Sequence, residues 1–163
     1  IEKNKQSIVY GYSVKDPHRY GVVEFDEKQN IISIEEKPKQ PKSNFAIIGL
    51  YFYNNKVIDY AKQIKPSNRG ELEITDVNNL YIKNKKMKIN LLGRGFAWLD
   101  TGTPNSLLAA SNFIQMIEDR QGLKISCIEE IAFRMNFIDT NQLQTLIKTL
   151  PESEYKEYIK SIL

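Results

Sequence analysis

Four short stretches place charged residues or glycines beside apolar segments, where they could bind a phosphate, a metal ion or another ligand. They are Arg19–Asp26, Glu35–Pro38, Asn68–Asp76 and Gly95–Thr103. Each stretch could also have a purely structural role, as a turn, a solvated strand end or a helix-entry loop. The pattern of one stretch alone does not decide between the two.

In the stretch Glu35–Pro38, strand periodicity places Ile32, Ile34 and Glu36 on one face. A carboxylate on an apolar face is costly unless it binds a partner, so Glu36 is a candidate ligand-binding residue. Lys37 would point the other way in a regular strand, and it shares a site with Glu36 only if the chain twists or bulges before Pro38. The alternative is a solvated strand end.

Arg69 lies on a loop before a helix, where its guanidinium could bind a phosphate through two hydrogen bonds. The alternative is a helix-entry loop in which Glu71 and Glu73 favour the helix dipole. Gly21 could let a backbone N–H approach a ligand closely. The pattern of this stretch alone favours the alternative of a turn glycine.

Asp100 follows an apolar run and precedes a turn and a helix start. Ligands of open α/β sheets bind at the carboxyl ends of strands, and Mg²⁺ prefers one or two carboxylates together with phosphate oxygens. The pattern thus allows a metal ligand, but by itself it slightly favours the alternative of a turn aspartate that binds its own backbone.

Composition excludes several classes of function. The 163 residues carry a net charge of +3, too small to indicate nucleic acid binding. No apolar run approaches the length of a membrane span. The single cysteine, Cys127, permits no internal disulfide and favours the cytoplasm, and the single histidine, His18, has no visible triad partner. Zinc motifs are absent from the sequence.

The elements that must position these residues are strands and helices in mixed order, which predicts an α/β fold with a helical tail. Strands are predicted over Ile8–Val14, Val22–Asp26, Ile31–Lys37, Phe45–Tyr53, Met87–Leu92 and Phe96–Leu99. The strand Phe45–Tyr53 is expected to be buried on both faces. Helices are predicted over Lys56–Ile64 and Ile74–Lys83, from an N-cap at Thr103 to Gly122, and from Ile128 to Leu163 with breaks at Asn136–Thr140 and Pro151.

The stretches "DPHRYGVVEFD", "EEKPKQPKSNFAIIGLYFYNNKV", "NRGELEITDVNNLY", "GRGFAWLDTGTPNSLLAASNFI" and "RQGLKISCIEEIAFR" occur in this order. Together they resemble the bacterial glucose-1-phosphate thymidylyltransferases, from about Ile8 to the C-terminus. The resemblance implies the C-terminal half of a Rossmann-like nucleotidyltransferase sheet over residues 1–122, with a helical C-terminal appendage over 123–163. It also implies a missing first half with the triphosphate loop, a catalytic lysine and another metal-binding aspartate. The chain alone is therefore expected to be inactive.

The resemblance assigns a role to each candidate residue. Lys37 and Arg69 would be catalytic phosphate ligands, Glu36 would accept sugar hydroxyls, and Gly21 and Ile47 would offer backbone contacts to the sugar. Tyr51 would lie near the sugar, Trp98 would form a wall of its site, and Asp100 would bind Mg²⁺. We expect Glu36, Lys37, Arg69 and Asp100 to converge on one cleft.

The activity implied is the formation of dTDP-glucose and pyrophosphate from dTTP and glucose 1-phosphate, in the cytoplasm and with Mg²⁺, for dTDP-sugars such as dTDP-rhamnose. The family is homotetrameric, and Arg94 and Arg134 match positions of a regulatory nucleotide site; surface arginines are the alternative. Neither nucleic acid nor membrane is expected as a partner. Two other functions stay open: a sibling enzyme that uses UTP or another sugar, and a non-catalytic sugar-nucleotide-binding module.

Overall fold

The computed structural model describes residues 6–163 and contains two compact units, Ile1–Trp98 and Leu99–Leu163. The first is a mixed α/β unit and the second is helical, which confirms the predicted fold class. The two units divide between Trp98 and Leu99, before residue 122. The predicted boundary at residue 122 separates the domains of the family, and it stays a prediction.

A five-stranded sheet forms the frame of the first unit, with strand order β3-β2-β4-β1-β5 among the described residues. Strands β1 and β5 run parallel, whereas β1 with β4 and β2 with β3 and β4 pair antiparallel. The strands are β1 Ser7–Ser13, β2 Gly21–Phe25, β3 Ile31–Glu36, β4 Phe45–Phe52 and β5 Met87–Leu92. Two helices, α1 (Val57–Ala61) and α2 (Ile74–Lys83), and a 3-10 helix at Pro17–Arg19 complete the unit.

The core of the first unit lies between the sheet and α2. Val9, Val23 and Ile34 come from three strands and pack with Val77 and Tyr81 of α2, and all five are almost fully buried. Burial of such side chains stabilises a fold by about 1.5–3 kcal/mol each. Helix α2 is therefore held firmly against β3, the strand that ends at Glu36.

Four helices make up the second unit: α3 Pro104–Gln121, α4 Ile128–Arg134, α5 Thr140–Thr149 and α6 Glu154–Ser161. Thr103 caps α3 as predicted, in a reciprocal capping box with Ser106, and Gly122 ends the helix at a φ of 66°. Cys127, Leu143, Ile147 and Ile159 form the core. None of the helices described between residues 6 and 163 is long and apolar enough to span a bilayer.

The strand predicted over Phe96–Leu99 is wrong, because this segment has no regular secondary structure. A strand needs a backbone partner, and the Phe96 carbonyl instead accepts a hydrogen bond from the Tyr12 hydroxyl at 2.9 Å. The helix predicted over Lys56–Ile64 is also shorter than expected and ends at Ala61.

The expectation that Phe45–Tyr53 is buried on both faces is wrong for its second half. Ala46, Ile47 and Ile48 are buried, but Leu50 and Phe52 are 45% and 43% exposed. Successive side chains of a strand point to opposite faces. In the described chain, the core cluster packs against the face that carries Tyr51, and the opposite face is buried at Ala46 and Ile48 but exposed at Leu50 and Phe52.

Candidate functional site

Glu36 ends strand β3 with its carboxylate held in place by neighbouring groups. The Thr75 hydroxyl, at the start of α2, donates a hydrogen bond of 2.7 Å to Glu36 Oε2. The Glu36 side chain is 25% exposed, so the carboxylate is partly desolvated but still open to a ligand. This geometry suits an acceptor for ligand hydroxyl groups, since an ionised carboxylate accepts hydrogen bonds and donates none.

Gly21 is the residue directly opposite Glu36 in the β2–β3 pair. It begins a strand, so the alternative of a turn glycine is wrong. A Cβ at this position would lie 3.2 Å from Glu36 Oε2 and 3.3 Å from the Thr75 hydroxyl. A side chain at this position would therefore crowd the Glu36 carboxylate and the Thr75 hydroxyl, which would have to move by a few tenths of an ångström.

Arg69 is surrounded by three carboxylates. Its guanidinium forms a short ion pair with Glu71, and Nη1 lies 3.7 Å from carboxylate oxygens of both Glu36 and Glu73. Glu71 is 59% exposed, and an exposed pair of this kind contributes about 0–1 kcal/mol. A phosphate could therefore displace Glu71 from Arg69 at little cost.

Glu36 and Arg69 line one cleft of about 310 Å³, together with Ser67 and Thr75. The lining also contains Glu35, Glu73 and Asp76, so it holds four carboxylates and one guanidinium. An anion bound beside Arg69 would need additional positive charge, either from a lysine or from a cation that the anion brings with it.

Lys37 follows β3 and has a φ of 45°, in the left-handed region that non-glycine residues seldom adopt. Its backbone N–H donates a 2.9 Å hydrogen bond to the Tyr20 carbonyl, which holds the chain in this conformation. The change of chain direction that a site shared by Glu36 and Lys37 would require is thus present at Lys37, as a left-handed residue. The exposed side chain of Lys37 does not line the cleft around Glu36. Its role as a phosphate ligand stays a prediction.

Tyr51 and Ile47 lie on β4. Burial raises the pKa of the half-buried Tyr51, and the nearby negative charge of Glu36 raises it further, so the hydroxyl stays protonated beside the carboxylate. The ring stacks on Tyr53 at 5.7 Å. Ile47 packs in the core opposite Gly11, so a contact with a ligand there would have to come from its backbone.

Trp98 packs on two tyrosines, with ring centroids 6.1 Å from Tyr12 and 5.1 Å from Tyr20. Tyr20 precedes Gly21 and accepts the Lys37 backbone hydrogen bond. Tyr20 therefore contacts the indole through its ring and the backbone of Lys37, next to Glu36, through its carbonyl.

Asp100 belongs to the second unit and is half-buried. Its Oδ1 accepts a 3.3 Å hydrogen bond from the Gly102 backbone N–H, as expected for a turn aspartate. Among residues 6–163, no group of three or more acidic, histidine or cysteine side chains gathers to hold a metal. A single carboxylate still fits Mg²⁺, which takes its other ligands from phosphates and water. The expected convergence of Asp100 with Glu36 stays a prediction.

The two arginines assigned to regulation lie in different units. Arg94 is exposed in the turn after β5. Arg134 ends α4, where its Nε donates a 2.6 Å hydrogen bond to Glu130. Hydrogen bonds from Tyr158 and Arg134 hold the pKa of Glu130 below its ordinary value. The regulatory role of both arginines stays a prediction.

Two residues of the site were missed by the sequence reasoning. Thr75 binds the Glu36 carboxylate, and Asn79, one helical turn later, binds the backbone of Ile34 with both ends of its amide. The available signal was the position of both polar residues, four apart, on a helix with an apolar face.

We expect Gly21→Ala to lower the free energy of unfolding by about 1–3 kcal/mol, because the new Cβ would crowd Glu36 and Thr75. The matched control is Gly49→Ala on β4, where an added Cβ meets nothing within 4 Å. Alanine should leave that site unchanged or slightly more stable, since it restricts the unfolded chain. Equal stability of the two variants in urea unfolding would contradict the crowding at Gly21.

Comparison with known proteins gives a consistent result. The family model described as nucleotidyl transferase matches residues 1–116. The glucose-1-phosphate thymidylyltransferase of Neisseria gonorrhoeae is 49% identical over 161 residues, which are 99% of this chain and 56% of that protein. The enzyme of the same name from Mycolicibacterium smegmatis is 52% identical over 155 residues, 95% of this chain and 54% of that protein. The chain thus spans about half the length of the curated relatives it matches.

Solved structures agree with these relatives. A Bacillus anthracis structure described as a glucose-1-phosphate thymidylyltransferase in complex with sucrose has a TM-score of 0.60 and 45% identity, over 69% of this chain and 44% of that one. A UDP-glucose pyrophosphorylase in complex with UDP-glucose has a TM-score of 0.61 and 26% identity, over 69% of this chain and 45% of that one.

Proposed function

This chain belongs to the nucleotidyl transferase family, and from that premise we propose that it forms the sugar-phosphate side of a glucose-1-phosphate thymidylyltransferase. The reaction joins dTTP and glucose 1-phosphate to give dTDP-glucose and pyrophosphate. Identities of about 50% to thymidylyltransferases support dTTP and glucose, against 26% for the UDP-glucose enzyme. The UTP alternative is therefore less well supported.

The observation that carries the proposal is the meeting of Glu36 and Arg69 at one cleft. Glucose 1-phosphate presents hydroxyl groups at one end and a phosphate at the other. A carboxylate held by Thr75 accepts hydrogen bonds from hydroxyls, and a guanidinium matches the oxygens of a phosphate. The two charges suit the two ends of one small ligand.

The other site residues would complete the sugar site. We assign backbone contacts to Gly21 and Ile47, a position beside the sugar to Tyr51, and a wall to Trp98. The Tyr51 hydroxyl can donate a hydrogen bond to a sugar oxygen, since its raised pKa keeps the phenolic oxygen protonated.

In the proposed reaction, an oxygen of the sugar phosphate attacks the α-phosphorus of dTTP, and the bond from that phosphorus to the bridging oxygen of pyrophosphate breaks. No protein nucleophile is needed, so the chain contributes positioning and charge. Arg69 would exchange Glu71 for the phosphate, and Lys37 would approach the same group. Mg²⁺, with Asp100 as its ligand in this chain, would neutralise phosphate charge. The surplus of carboxylates in the cleft supports this part of the proposal, because a bound phosphate is favoured by added positive charge.

Calorimetric titration tests the proposal on the chain itself. We expect glucose 1-phosphate to bind in the presence of Mg²⁺, with a dissociation constant within the range of about 1 μM to 1 mM that is usual for enzyme substrates. Glucose 6-phosphate serves as the matched control, because it has the same groups in the wrong arrangement. Equal affinity for the two sugar phosphates, or binding of neither, would overturn the proposed site.

Three further parts of the proposal concern the protein that contains this chain. We propose that it acts in the cytoplasm as a homotetramer, with Arg94 and Arg134 near a regulatory nucleotide site. We also propose that the chain alone does not turn over substrate. Pyrophosphate release from dTTP and glucose 1-phosphate by the purified chain would contradict that last point.

A further inference from the structure

Strand β3 carries Glu36 at the edge of the sheet. In the order β3-β2-β4-β1-β5 it has a neighbouring strand on one side alone among the described residues. The backbone groups on its other edge need a partner or water, and an unpaired edge is the part of a sheet that moves most easily. A residue that forms hydrogen bonds with the backbone on this edge would fix the position of β3, and with it the position of Glu36 at its end.

Asn79 on α2 closes the edge at Ile34. Its Oδ1 accepts a 2.9 Å hydrogen bond from the Ile34 backbone N–H, and its Nδ2 donates a 2.8 Å hydrogen bond to the Ile34 carbonyl. The side-chain amide thus replaces the backbone of a missing neighbouring strand. Ile34 is also packed in the core with 2% exposure, so the strand is anchored by its side chain and its backbone at one residue.

The second anchor is one helical turn away. Thr75 and Asn79 are four residues apart on α2, a rise of about 6 Å along a helix. Their partners Glu36 and Ile34 are two residues apart on β3, a rise of about 6.8 Å along a strand. Because the two spacings nearly match, one helix face holds the strand at both points at once.

We propose that Asn79 is a positioning residue for glucose 1-phosphate binding, and that it acts through the Ile34 backbone to place Glu36. This inference rests on the proposed function, because it names the ligand of the same cleft. Thr75 sets the direction of the carboxylate, whereas Asn79 sets where the strand end lies. Lys37 depends on the same anchor, since it follows Glu36 directly.

The test compares Asn79→Ala with Asn79→Asp, which keeps the shape and the acceptor for the Ile34 N–H but loses the donor for the Ile34 carbonyl. Lys83→Ala, an exposed change near the end of the same helix, is the matched control. Alanine is a better helix former than asparagine, so α2 should still form. For each variant, NMR measures hydrogen exchange at the Ile34 amide, and calorimetry measures the dissociation constant for glucose 1-phosphate with Mg²⁺.

In Asn79→Ala we expect exchange at Ile34 to accelerate and affinity for glucose 1-phosphate to fall by about tenfold or more, since a small displacement of binding groups has effects of this size. Exchange at Ile34 in Asn79→Asp should fall between that of the alanine variant and that of the unchanged chain, and Lys83→Ala should match the unchanged chain in both measurements. Faster exchange with affinity unchanged within about twofold would show a structural role alone and overturn the inference. Unchanged exchange would overturn it too. If the unaltered chain does not bind glucose 1-phosphate, the proposed function fails, and the inference with it.

Discussion

Asp100→Asn is expected to lower turnover by about a hundred- to a thousandfold in an enzyme that contains this chain and spans the full length of its relatives. Removal of one preorganised electrostatic partner typically costs about 3–4 kcal/mol in the transition state. Asp100, as the proposed Mg²⁺ ligand, is such a partner, because the charge on the transferring phosphate changes most in the transition state. The loss should therefore fall mainly on turnover.

The fold should survive this substitution. Asparagine has the shape of aspartate, and its Oδ1 can still accept the hydrogen bond from Gly102 that stabilises the turn. The matched control is Asp139→Asn, which changes another aspartate of the same unit that caps a helix through Gln142. Turnover measured across a Mg²⁺ titration, together with the melting temperature, distinguishes a metal ligand from an aspartate that only stabilises the turn. Near-normal turnover of Asp100→Asn at every Mg²⁺ concentration would rule out the metal ligand.

Glu36→Gln should weaken binding of glucose 1-phosphate by about 10- to 100-fold. Hydrogen bonds to a charged group contribute about 1.5–3 kcal/mol, and the amide that replaces the carboxylate has one acceptor oxygen in place of two. The substitution also frees Arg69 from one of its three carboxylates, which favours the phosphate. That gain is small, because the Arg69 to Glu36 distance is 3.7 Å and both groups are partly exposed. The loss of sugar contacts should therefore dominate.

Two comparisons make the Glu36 result specific. Glu27→Gln removes the same charge from an exposed residue of the same unit that does not line the cleft, and it should leave the affinity for glucose 1-phosphate nearly unchanged. Inorganic phosphate lacks the hydroxyl groups that Glu36 is proposed to bind. Its affinity should stay constant or rise slightly in Glu36→Gln. Equal losses for glucose 1-phosphate and phosphate would contradict the assignment of Glu36 to the sugar.

Local patterns in the sequence predicted several elements closely. The helix over Ile74–Lys83 and the strand over Met87–Leu92 have the predicted bounds. Thr103 followed by Pro104, and the later Gly122, marked the ends of α3 because capping depends on neighbouring residues alone. The strand predicted over Ile31–Lys37 ends one residue earlier, at Glu36.

The failures have a common physical origin. The segment Phe96–Leu99 has the composition of a strand, but a strand forms only where a partner backbone is in reach, and composition does not report that. The second half of β4 is apolar and yet exposed at Leu50 and Phe52. Whether these side chains are buried depends on the elements that pack against this part of β4, and the sequence of the strand does not report them.

The sequence by itself therefore determined the fold class, most of the elements, the family resemblance and the candidate residues Glu36, Lys37, Arg69 and Asp100. Tertiary structure alone decided how the first unit holds Glu36. Thr75 and Asn79 lie about forty residues from their partners on β3, and Gly21 matters because it faces Glu36 across a strand pair. Such contacts depend on strand register and on the position of α2 against the sheet. Packing of the whole unit sets both, so no local pattern of residues predicts them.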